Sequence, residues 1–152
     1  MRIGTGYDSH RFASGRRLVL GGVEIDYELG LDGHSDADVL THAVIDALLG
    51  AAGLGDLGTH FPPDDERWRD ADSLDLLRTV LGMLDGPVVN VDATVICERP
   101  KLAEHRAAME HNLGEAIGAP VSVKATTNEG MGFVGRGEGI CCIAVALIDT
   151  GG

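Results

Sequence analysis

The 152-residue chain has no apolar run near the roughly 20 residues of a membrane-spanning helix, so no such segment is read in it. Its first ten residues, MRIGTGYDSH, put an acid and a histidine where an export signal would need an apolar centre, and a cytoplasmic location is expected. Basic residues are scarce: 12 against 24 acids, for a net charge of −12. That balance argues against nucleic acid and anionic membrane as partners, since both select a basic surface. Cysteine is sparse as well. Cys97, Cys141 and Cys142 all sit in apolar, strand-like runs, where a free cysteine behaves as a small buried hydrophobe. Adjacent Cys141 and Cys142 would point to opposite faces of a strand, which disfavours a zinc role.

What is present is an ordinary globular composition, 44% hydrophobic and 24% charged, in a chain of about one domain. Residues 1–8 read as a strand, and 17–20 with 23–27 as a hairpin turned at Gly21-Gly22. After a loop at 29–35, a helix is expected over 36–52, with Ser35 as N-cap, Asp38 in its first turn and Gly53 as its stop. Its apolar stripe is Leu40, Val44, Ala47, Leu48 and Ala51. Residues 54–72 read as a long loop, of the kind that is more often functional than idle. A helix follows at 73–85, capped by Ser73 or Asp72, then a strand at 88–97. A third helix at 101–117 turns Leu102, Met109, Leu113 and Ala116 inward and Glu104, Arg106, Glu110 and Glu115 outward. Strands close the chain at 121–126 and 140–148. The last strand is apolar on both faces, so helices should cover one side and another subunit the other. This alternation gives an α/β or α+β domain with one helix-backed sheet.

Four constellations could carry chemistry. Asp8 and His10 lie two apart at a strand end, so both can project from one face. With His42 on the first helix they form a carboxylate–imidazole–imidazole set that suits zinc or a similar ion and leaves a position open. Asp38 or Asp46, one turn away on that helix, could take the spare N–H of His42. Second, His34-Ser35 precede a helix N-terminus, a natural phosphate site. Third, Lys124, Thr126, Thr127 and Glu129 lead into a glycine-rich turn whose hydroxyls, amides and carboxylate could hold phosphate and Mg²⁺. Fourth, Pro100 starts the third helix with Lys101 in its first turn, where a bound anion would offset the adverse dipole. Each alone also fits a bland reading: a surface histidine, a capping serine, a flexible hairpin. Eleven acids in residues 32–75, against only Arg67 and Arg69, read mainly as a solvated acidic face.

Taken together the segments are more specific. RIGTGYDSHRF (2–12), HSDADVLTHAVIDALLGAAGLGDLG (34–58), FPPDDERWRDADS (61–73), NVDATVICERPKL (90–102) and VKATTNEGMGFVGRGEGI (123–140) span nearly the whole chain. In this order they resemble the 2-C-methyl-D-erythritol 2,4-cyclodiphosphate synthases of non-mevalonate isoprenoid biosynthesis. The resemblance implies a single α+β domain over 1–152: a mixed sheet backed by about three α-helices on one side, its other face packed in a homotrimer. It places the metal ligands on Asp8, His10 and His42, with zinc the expected ion. Glu129 would help hold a second ion, Mg²⁺ or Mn²⁺, across a diphosphate.

The resemblance also implies a substrate map. The methylerythritol phosphate portion would lie against His34, Ser35, Asp56, Leu57, Gly58, Phe61, Pro62, Pro63, Asp64 and Asp65, and Asp8, Ser9 and His10 would also contact substrate. The cytidine diphosphate portion would meet residues 97–103, including Pro100, Lys101 and Leu102, and Thr126, Thr127, Asn128 and Glu129, with Phe133 and Arg136 from the glycine-rich turn. His34 and Thr127 would stabilise the transition state of an intramolecular phosphoryl transfer that expels CMP. Active sites would be shared between neighbouring subunits. Tyr7, Pro63, Asp64, Asn128 and Gly130 depart from residues common in that family.

Overall fold

A computed structural model describes residues 1–151. The elements are β1 (Arg2–Ala13), β2 (Leu18–Leu20), β3 (Val23–Ile25), β4 (Gly30–Leu31), α1 (Val39–Ala52), α2 (Leu57–His60), α3 (Ser73–Leu81), β5 (Val88–Ile96), α4 (Arg106–Ile117), β6 (Val121–Thr126), α5 (Gly132–Gly135) and β7 (Gly139–Ile148). One sheet runs β4-β1-β7-β5-β6, with β2 and β3 as a separate ribbon. Among the described residues only the β5–β6 pair is parallel, and α4 makes that crossover, so the sheet is mixed and the class α+β.

Alternation along β1 sets the geometry. Gly4 and Gly6 are buried while Ile3, Thr5 and Tyr7 are exposed. A methyl group at Gly4 would collide with the Ala47 carbonyl, and one at Gly6 with the Ala43 carbonyl. The missing side chains let α1 lie directly on the strand. Their antiparallel partners on β7 are Ala146 and Ala144, again small. Ala43, Ala47 and Ala51, one turn apart on α1, complete this close contact. Asp8 and His10 continue the even-numbered register and therefore face the same helix.

Burial of α1 exceeds the expected stripe. Eleven of its 14 residues are buried, because the sheet lies beneath it and α3 packs against it. Its N-cap is Asp38, whose carboxylate accepts the Thr41 amide. Ser35 does not cap it, and the helix starts three residues later than its pattern indicates. Asp38 also accepts the Gly21 and Gly22 amides, each at 2.9 Å, tying the ribbon turn to the helix start. Burial, and then neighbouring Asp36, push the Asp38 carboxyl up from its ordinary value.

Other boundaries moved for identifiable reasons. β1 continues to Ala13 because Arg11 still pairs with Gly139 across the sheet, so Asp8-Ser9-His10 lie inside a strand. The expected 54–72 loop contains α2 and a 3₁₀ turn at Glu66–Trp68, capped by Asp56 and Asp65. α3 stops at Leu81 and takes Asp72 as its cap. α4 starts at Arg106, preceded by a 3₁₀ turn at Ala103–His105, so Pro100 and Lys101 lie ahead of any helix. All three cysteines are buried and free. On the outer face of the sheet Ile3, Tyr7 and Ile143 are 69%, 54% and 48% exposed.

Candidate active site

Three elements converge at one point. Asp8 Oδ2 lies 2.8 Å from His10 Nε2 and 3.1 Å from His42 Nδ1, and the two ring nitrogens are 3.3 Å apart. A tetrahedral ion with bonds of about 2.0–2.1 Å needs its donors about 3.3 Å from one another. The trio fits that triangle, slightly contracted, and a carboxylate with two imidazoles is a donor set for zinc or a similar divalent ion.

Each imidazole is oriented from its far side. The Nδ1–H of His10 donates to the Asp32 carbonyl at 2.7 Å, leaving the Nε2 lone pair toward the trio. On His42 the roles reverse, with Nδ1 toward the trio and Nε2 beside Ser73 Oγ at 2.8 Å and Ser35 Oγ at 3.1 Å. Neither Asp38 nor Asp46 takes that nitrogen, contrary to the helical-spacing expectation. Asp38 is committed to the helix cap, and Asp46 accepts the Leu57 amide at 2.8 Å, anchoring α2. Burial raises the Asp46 carboxyl above its ordinary range. Burial also works against the Asp8 charge, but hydrogen bonds from His10 and His42 win and hold its carboxyl down at about 2. For His10 burial again opposes the charge, and the Asp8 carboxylate outweighs it and raises the imidazole.

The trio opens into a cavity of about 200 Å³, lined also by His34, Ser35, Leu57, Gly58, Phe61, Pro63, Trp68 and Leu76. His34 Nε2 bonds the Asp65 carbonyl at 2.9 Å, which fixes the ring at the cavity wall. Phe61 meets Trp68 edge to face at 4.9 Å. Not every residue mapped to this side points inward. Ser9, on the opposite strand face from Asp8, lines another cleft with Phe133 and Glu138, which shares only His10 with the metal cavity. The Asp56 and Asp65 carboxylates are spent on local caps. Pro62 and Asp64 do not line the cavity.

A second cavity, about 320 Å³, is lined by Cys97, Glu98, Pro100, Lys101, Leu102, Ala103, Arg106, Ala125, Thr126 and Thr127. It shares no lining residue with the first. Arg106 is missed by the helical pattern, which turns it outward; its Nε donates to the Val123 carbonyl at 2.7 Å. Glu98 also has a specific task. Its Oε1 accepts the Asn128 and Gly130 amides at 2.8 and 3.2 Å, holding the turn that carries Thr127 and Glu129. Arg136 pairs with Glu138 at 2.8 Å and faces neither cavity.

The YgbB family profile matches residues 1–149. The chain belongs to the YgbB family. Relatives of this YgbB chain include the 2-C-methyl-D-erythritol 2,4-cyclodiphosphate synthase of Gloeobacter violaceus, 59% identical over 98% of this chain and 95% of that one. The enzyme of the same name from Symbiobacterium thermophilum is 60% identical over 97% and 98%. Among solved structures, a CDP-bound 2C-methyl-D-erythritol-2,4-cyclodiphosphate synthase superposes with a TM-score of 0.88 at 36% identity, covering 97% of this chain and all of that one. The YgbB chain departs from the sequence-based site map chiefly in what the map omits: Ser73, Trp68, Leu76 and Arg106. A serine at a helix start was the available signal for Ser73, and it reads equally well as a cap.

Proposed function

We infer that this chain converts 4-diphosphocytidyl-2-C-methyl-D-erythritol 2-phosphate into 2-C-methyl-D-erythritol 2,4-cyclodiphosphate and CMP. The observation that carries the reading is the Asp8–His10–His42 convergence at the mouth of a cavity, in a chain whose full-length relatives bear that enzyme name. An oxygen of the 2-phosphate attacks the β-phosphorus, and the bond from that phosphorus to the bridging oxygen breaks. CMP leaves with the bridging oxygen. The nucleophile is already anionic at neutral pH, so no general base is needed. The requirement is in-line positioning and charge neutralisation.

This chain's residues divide those tasks. Asp8, His10 and His42 would hold one divalent ion, zinc by donor type, and Glu129 would contribute to a second, Mg²⁺ or Mn²⁺. When bound, such ions neutralise phosphate oxygens and favour in-line displacement. His34, steadied by Asp65, and Ser35 line the metal cavity and would meet the phosphate of the methylerythritol portion. Pro100, Lys101, Leu102, Thr126 and Thr127 line the second cavity and would take the cytidine diphosphate portion, with Thr127 and His34 stabilising transferred charge. That a solved relative is a CDP-bound form supports a cytidine nucleotide as a ligand of this chain.

His34 and Thr127 line different cavities of one chain, so a shared site needs a neighbour. The exposed Ile3, Tyr7 and Ile143 on the outer sheet face offer an apolar surface for it. A homotrimer with sites between subunits meets both demands. A cytoplasmic location fits a soluble nucleotide substrate.

The test is product analysis. Full-length protein supplied with Zn²⁺, Mg²⁺ and the substrate is expected to release one CMP per cyclic diphosphate formed. Release of inorganic phosphate, or a linear product, would instead make the chain a metal-dependent phosphatase or phosphodiesterase.

A further inference from the structure

We propose that Ser73 and Asp36 are positioning residues that fix the tautomer and ring angle of His42 through a buried carboxylate–hydroxyl–imidazole chain. This rests on the reading that His42 is a metal ligand. The chain joins α1 and the stretch just before it to the first residue of α3, 31 residues beyond His42.

Proton counting gives the direction of each bond. A neutral imidazole that offers Nδ1 to an ion must carry its hydrogen on Nε2. Two hydroxyls stand beside that single N–H, Ser73 at 2.8 Å and Ser35 at 3.1 Å. The Ser73 hydroxyl hydrogen is already committed, since Ser73 Oγ donates to Asp36 Oδ1, an acceptor only. Its lone pairs are therefore left for His42. Asp36 is held in turn by the Ser73 amide at 2.9 Å and the Asp38 amide at 3.1 Å. Ser73 is fully buried, so no water competes for the link.

The two imidazoles of the trio are thus supported unequally. His10 leans on a neutral backbone carbonyl. His42 leans on a hydroxyl whose acceptor strength is raised by a carboxylate one bond further out. An ionised partner at the end of such a chain makes the near hydroxyl a better acceptor and the far ring nitrogen a better donor to an ion. Ser35 is the nearer residue in sequence, but the single N–H goes to Ser73. Its own hydroxyl hydrogen is left for the cavity that it lines.

The experiment is metal titration of the full-length protein with Zn²⁺ and with Co²⁺ as a spectroscopic probe, using a competing chelator. Ser73→Ala is expected to weaken affinity about 10- to 100-fold and to alter the cobalt visible bands. Asp36→Asn should show a smaller loss in the same direction. Ser35→Ala should stay within about twofold of wild type. In a His42→Ala background, Ser73→Ala should cost no further affinity, whereas a merely structural serine would still cost some. Wild-type affinity in Ser73→Ala, or an equal loss in Ser35→Ala, overturns the proposal. Should Ser73→Ala fail to fold, Asp36→Asn decides alone: an unchanged affinity sinks the idea. If the wild-type protein binds neither ion, the metal reading itself fails, a distinct result.

Discussion

The two cavities of this chain are built on opposite principles. Around Asp8, His10 and His42 both imidazoles are held from behind, by a carbonyl or a hydroxyl, and His42 is only 4% exposed. Around Thr126, Thr127 and Glu129 the side chains are exposed, and the turn is held mainly by Glu98 gripping two backbone amides. A site for a small cation gains from donors fixed before binding. A surface that receives a nucleotide, and in the proposed assembly a neighbouring subunit, can order its groups when the partner arrives. The contrast also explains why the first region reads as a complete cation site, although in the proposed assembly each region is one half of the substrate site.

The most severe way to break the contrast is to remove a donor from the rigid side. His42→Ala should lower turnover by more than about 10³-fold while circular dichroism keeps the native spectrum, because only one cation donor is lost. Full activity in that variant would remove the metal assignment. Gly6→Val should be nearly as damaging by another route. Its side chain would drive α1 off β1, destabilise the fold by about 3 kcal/mol or more, and take His42 away from Asp8. Chemical denaturation and metal titration would read the two effects separately.

On the soft side a smaller and different response is expected. Glu98→Ala frees the Asn128 and Gly130 amides, and should raise the apparent KM for the nucleotide substrate by about tenfold. Metal affinity at the Asp8 trio should not change. An equal loss of that affinity would show that the two regions are not independent.

The mildest probe is pH, applied to protein stripped of metal. Asp8 is lowered from 3.8, so its stabilising contribution exists above that value and disappears as pH falls toward about 2. His10 is raised from 6.5, so its contribution is complete below that value and is lost as pH rises through its folded pKa. The stripped protein should therefore draw most from the pair between 3.8 and 6.5. Added Zn²⁺ must displace the proton from His10, so the metal-induced rise in Tm should grow with pH, by about 2–4 °C for each kcal/mol. A rise independent of pH would contradict the link. The second cavity holds no such pair, and nucleotide binding there should not share the profile.

Several features of the protein were fixed by its linear pattern alone. Periodicity located α1, α3 and α4, and apolar strand-forming runs located the long strands, because both follow from which residues must leave water. Strand register placed Asp8 and His10 on one face before any fold was known. Other features depended on neighbours distant in sequence. β1 runs past its polar Asp-Ser-His stretch because β7 pairs with it, and α1 is buried on nearly every side because sheet and α3 enclose it. Only the folded chain decided that His42 turns to Ser73, 31 residues on, rather than to Asp38 or Asp46 a helical turn away. Both of those acids were already committed to backbone amides that the fold brought to them. Hydrogen-bond commitments are settled by competition among all groups that arrive at one place, and a sequence shows who could compete but not who arrives.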